Sequence, residues 1–118
     1  MSRRSGSCSR RRYCSLPTEH WLLRYQLAPD YLARRPAFRD AHLALAWVAA
    51  GRGELVLGGA VGDPVEEALL LFHTQDAAAE FAGSDPYVAN GLVTEWRVLP
   101  WRTVVGEAAA EPVRPVTP

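Results

Sequence analysis

His42 is the residue in this chain that packing alone explains least. It stands in R-R-P-A-F-R-D-A-H-L-A-L-A-W-V-A-A-G-R-G, residues 34–53, flanked by Ala41, Leu43, Ala44 and Leu45. An imidazole changes charge near neutral pH, so it can take or give a proton under working conditions. The alternative is a histidine satisfied by hydrogen bonds at a seam between helices. Arg39 lies three residues earlier and shares the same helix face. A guanidinium there suits a substrate carboxylate, or a surface ion pair with Asp40 or Asp30. Asp85 precedes Pro86 and is a standard helix cap and turn former. Tyr87 can place its hydroxyl in a pocket or simply pack. His20, His42 and His73 fall on different elements without paired spacing, which argues against a metal site. Cys8 and Cys14 have five residues between them, unlike the close pairs of zinc or dithiol sites. No glycine-rich phosphate loop and no G-x-S-x-G elbow occurs.

The elements that must position these groups are legible from periodicity. His20 to Leu27 alternates, with Trp21, Leu23, Tyr25 and Leu27 on one side, and reads as a half-buried strand. Asp30 is a plausible cap for a helix over Tyr31 to Ala50, which Pro36 should interrupt or kink. Two apolar rows compete for its buried face: Leu43, Ala46, Trp47 and Ala50, or Phe38, Ala41, Leu45 and Val48. His42 lies at the border of either, and Gly51 and Gly53 end the helix. Glu54 to Gly59 is a second strand whose glycines mark a bulge or a close approach. A turn at Gly62-Asp63-Pro64 leads to Glu67–His73, apolar enough to be central and paired with it as a hairpin. Thr74 or Asp76 caps a second helix over Ala77 to Phe81 or a little beyond. Asp85-Pro86-Tyr87 makes a turn or a short helix start. Val93 to Trp101 alternates as a fourth strand.

The order strand–helix–strand–strand–helix–strand predicts an α+β, ferredoxin-like βαββαβ domain. Its four-stranded antiparallel sheet carries both helices on one face. Apolar residues on the other face predict a homodimer packed sheet to sheet.

Composition narrows the partners. The chain has 118 residues, 48% hydrophobic, with zero formal net charge. The charge is uneven: residues 1–19 hold five arginines and one glutamate, and the remainder carries the balancing excess of acid. A mildly acidic body excludes an electrostatic footprint for nucleic acid or an anionic membrane. No apolar run approaches the ~20 residues needed to span a bilayer. The head, 1–19, reads as a disordered basic extension, or as an organellar transit peptide by its Arg- and Ser-rich character. Residues 107–118 read as a disordered Pro-rich tail. A body without cysteine fits a reducing, cytoplasmic location.

Four stretches carry a family resemblance: R-D-A-H-L at Arg39–Leu43, E-L-V-L-G-G at Glu54–Gly59, S-D-P-Y-V-A-N-G-L at Ser84–Leu92, and R-V-L-P-W at Arg97–Trp101. Together they resemble the YCII-related (YciI-like) family of the dimeric α/β-barrel group, over residues 20–106. The resemblance implies a ferredoxin-like dimer with a pocket between sheet and helices. It implies a catalytic His–Asp pair falling on His42 and Asp85. Arg39 and Tyr87 are then substrate-binding candidates. The function implied is that of a cofactor-independent lyase, isomerase or dehalogenase acting on a small cyclic or aromatic acid, without a metal. A non-catalytic ligand-binding or dimeric assembly domain is the alternative. The basic head and Pro-rich tail depart from the family pattern.

Overall fold

Residues 19–116 are described by the computed structural model. Expectations for the basic head, including Cys8 and Cys14, lie outside them. Alternation builds the first strand: β1 (Trp21–Leu27) buries Leu23 and Tyr25 and exposes Arg24 and Gln26. It is followed by α1 (Tyr31–Gly51), β2 (Leu55–Val61), β3 (Glu67–Phe72), α2 (Gln75–Ser84), the one-turn α3 (Pro86–Ala89) and β4 (Val93–Pro100). The sheet is antiparallel in the order β2-β3-β1-β4, the ferredoxin-like arrangement that the element order predicts. β3 is central, as its apolar content requires. Leu23 sits opposite Leu70, and Trp21 opposite Phe72. Leu23, Leu70 and Phe72 share the core with Phe81, Ala78 and Ala82 of α2.

Three local expectations need correction. Of the two outcomes expected at Pro36, the interruption does not occur: one helix runs from Tyr31 to Gly51 with the proline inside. The ring removes one backbone donor in the second turn, and the packing of the remaining turns holds the helix through it. Asp30 makes no side-chain cap bond; its carboxylate instead approaches Arg34 at 3.8 Å. Neither expected apolar row forms the inner face. Ala49 is buried, and Phe38, Leu45, Ala46 and Ala50 pack on the core, while Trp47 is 73% exposed and Ala41 and Val48 are also exposed. The inner face thus combines members of both rows, and His42 lies within it rather than at its border.

The second strand also shifts. It extends to Val61, and its irregularity falls between Leu55 and Leu57, ahead of the glycines. Gly62 then turns the chain with φ +103°, and a Cβ there would lie 2.8 Å from the Pro64 carbonyl oxygen. Gly62→Ala therefore combines a left-handed backbone with a backbone clash. It is expected to cost about 1–3 kcal/mol, read as a lower urea midpoint at unchanged slope.

Leu22, Leu69, Leu71 and Leu99 occupy the sheet face away from the helices, together with an Arg24–Glu67 ion pair at 2.8 Å. The compact unit that holds all these elements is His20–Trp101. The following segment, to Val116, contains no helix or strand. Within it the N–H groups of Glu111 and Val113 donate to the carbonyls of Thr103 and Val104. Among the described residues, no helix is long and apolar enough to cross a membrane.

Candidate active site

Two caps decide where the second half of the site begins. Thr74 accepts a bond from the Ala77 N–H and starts α2. Asp85 ends α2 and starts α3, and its Oδ1 accepts from the Tyr87 N–H at 3.0 Å. That cap geometry turns the Asp85 side chain inward, where it is completely buried. Tyr25, from the middle of β1, donates its hydroxyl to Oδ2 at 2.7 Å. His42 Nδ1 lies 2.9 Å from Oδ1 and 3.0 Å from Oδ2. A carboxylate that already takes bonds from Tyr25 and the Tyr87 N–H is suited to accept from Nδ1 as well, which turns Nε2 away from Asp85. Nε2 has no partner among the described residues.

The ring is fixed by stacking as well as by this bond. His42 lies flat on Tyr87, with centroids 3.9 Å apart and planes 6° from parallel, and meets Phe81 edge-on at 6.1 Å. Its side chain keeps 15% exposure, and that remainder opens to a cavity of about 410 Å³. The cavity lies between α1 and the β2–β3 hairpin. Small residues make the room: Ala46 and Ala50 on the helix, Gly58, Ala60 and Ala68 on the strands. Tyr25, Tyr31, Arg35, Arg39 and Tyr87 also line it, and Trp47 stands at its rim.

Burial raises the Tyr25 phenol pKa well above its ordinary value, and the adjoining Asp85 charge and hydrogen bond raise it further. In the unfolded chain this phenol ionises near pH ~10. The unfolded state therefore loses its proton first. Stability contributed here is intact below about pH 10 and falls as pH rises beyond it. Alkaline unfolding of the wild type should be steeper than that of Tyr25→Phe, as measured by urea midpoints against pH. Tyr87 behaves similarly: burial first, then Tyr31, push its pKa up to about 12 against the opposing pull of Arg39 and Arg35.

The structure thus brings His42 and Asp85 into contact and sets Arg39 and Tyr87 on the same cavity. Arg39 makes no ion pair among the described residues; Asp30 goes to Arg34 instead. Sequence reasoning missed Tyr25, whose alternation predicted burial but not an acceptor for its hydroxyl. It also missed Arg35, seven residues before His42 and hence on the same face. His20 and His73 stay apart from the site, with their rings 5.7 Å from each other. No cluster of metal-ligating side chains occurs among the described residues.

A solved structure shares this fold: 5-chloro-2-hydroxyhydroquinone dehydrochlorinase (TftG) from Burkholderia phenoliruptrix AC1100, in complex with 2,5-dihydroxybenzoquinone. It aligns with a TM-score of 0.59 at 21% identity, covering 71% of this chain and 94% of that one. None of the curated proteins matches the sequence. The family model for the YCII-related domain matches residues 20–102, most of the described chain, and the protein belongs to that family.

Proposed function

We propose that this protein is a cofactor-independent enzyme of the lyase, isomerase or dehalogenase type, moving a proton on a small ring compound. One observation carries this reading: His42 is held through Nδ1 by a buried carboxylate and lines a cavity large enough for a ring. A cavity of 150 Å³ already accepts benzene. Nε2 takes a proton from the substrate, and Asp85 stabilises the imidazolium that forms. The electron pair left on the substrate either expels a leaving group such as chloride or shifts a double bond. In the second case His42 returns its proton to another carbon.

TftG, of the same fold, is a dehydrochlorinase, which makes chlorinated hydroxyhydroquinones the first substrates to try. The test measures chloride release from 5-chloro-2-hydroxyhydroquinone, and deuterium uptake from heavy water into a panel of hydroxylated rings and lactone acids. A protein that binds such rings yet exchanges no proton with them is a binding module, and the enzymatic reading fails.

The homodimer belongs to the same proposal. Leucines on the open sheet face, flanking the Arg24–Glu67 pair, give a second copy an apolar surface to cover. Light scattering should return a dimer mass at micromolar concentration and a monomer mass for Leu71→Arg. A monomeric wild type would refute it.

A further inference from the structure

Resting on the reading of the cavity as a substrate site, we infer that it is built for a planar ring bearing an ionised oxygen, with Arg35 and Arg39 holding the oxygen and Tyr87 donating to it. Three observations converge. Arg35 and Arg39 both line the cavity, one helical turn apart, and no carboxylate lines it among the described residues. Neither makes an ion pair with a described residue. Like charges at this spacing weaken a helix by a few tenths of a kcal/mol, so an anion between them relieves a repulsion already present.

The second observation is Tyr87. It is 3% exposed, and its hydroxyl oxygen is buried with no hydrogen-bond partner among the described residues. Tyr31 lies edge-on beside it, ring centroids 5.7 Å apart, and its hydroxyl acts on the Tyr87 phenol as a neighbouring polar group without completing a well-formed hydrogen bond. A buried phenol lacking an acceptor is costly, and a ligand oxygen would supply one. Its pKa of about 12 keeps the proton in place at neutral pH. Third, Arg35 lies over the Tyr31 ring at 5.8 Å, which steadies its guanidinium. Asp85, the nearby charge of opposite sign, is already bonded by Tyr25, Tyr87 and His42, so its field opposes the anion only from behind the imidazole. Gly58 and Ala60 of β2 line the same cavity and, having little or no side chain, leave it room for a ring.

The probe is 4-nitrophenol, whose neutral and ionised forms differ in colour, with the full chain in excess. Preferential binding of the ion lowers the dye's apparent pKa by about one unit for each tenfold preference. The Arg35→Met/Arg39→Met pair should abolish that shift, and Tyr87→Phe should weaken binding about tenfold. Displacement by benzoate as well as by other phenolates assigns the site to ring-borne oxyanions of either kind. Failure of benzoate alone narrows it to ionised ring hydroxyls. An unshifted dye, a shift that survives loss of both arginines, or equal displacement by benzamide overturns the inference. An unshifted wild type with proton exchange still dependent on His42 would remove this inference and leave the catalytic reading standing. A normal shift with exchange indifferent to His42 would do the reverse.

Discussion

His42→Ala is expected to cut proton exchange and leaving-group release by about 10²–10⁴-fold, the usual worth of a positioned acid–base group. The argument is geometric: in the cavity wall, the imidazole presents a lone pair oriented by a buried anion. Stability should fall too, because the substitution removes a ring stacked on Tyr87 and touching Phe81 and one donor to a buried carboxylate. A loss of about 2–4 kcal/mol follows from these two terms. His42→Asn separates the effects. Its amide can still donate to Asp85 and retain much of the fold, while nothing replaces Nε2. Exchange rates in His42→Asn close to wild type would show that the histidine is only a packed seam residue.

Asp85 gives the second large effect, and here the two substitutions diverge. Asp85→Asn keeps the shape and most of the bonds: its carbonyl accepts from the Tyr87 N–H and the imidazole, and its amide donates to the Tyr25 hydroxyl oxygen, whose own proton loses its acceptor. Stability should drop by only about 1–2 kcal/mol. Catalysis should fall by about 10²–10⁴-fold, because the imidazolium loses its counter-charge. Asp85→Ala strips the cap of α3, which is its bond from the Tyr87 N–H, and leaves the Tyr25 hydroxyl and the His42 Nδ1–H without a partner. A loss of about 3–5 kcal/mol is expected, the sum of two stranded donors and the cap. Chemical denaturation and exchange rates on both variants check the split. Equal damage to stability by the two, with exchange unchanged in Asp85→Asn, would make Asp85 a purely structural cap.

The opposing outcomes for Asn and Ala arise because Asp85 holds two positions at once. As a cap it was legible in sequence: Asp before Pro, with a tyrosine N–H two residues on, is a local motif whose geometry needs no other segment. Its contact with His42 was not legible from spacing, since 43 residues separate them; family resemblance paired them, and the chain's own periodicity did not. Tyr25 lies further still, at a separation of 60 residues, and its hydroxyl gave no signal at all.

Local chemistry determined the strands, the helix starts at Thr74 and Asp85, the β2–β3 hairpin and the element order, because alternation, caps and turns act within a few residues. From that order alone came the ferredoxin-like sheet. Tertiary structure decided which face of α1 turns inward. The sequence offered two apolar rows, and packing on the sheet chose a blend of both: Ala49 is buried in the core with Phe38 and Leu45 against it, Ala46 and Ala50 border the cavity, and Trp47 stays exposed. That choice moved His42 from the edge of the helix face to its middle, above a carboxylate fixed by another segment. Side-chain convergence across such distances depends on backbone placement by the whole core, and no window of sequence contains it.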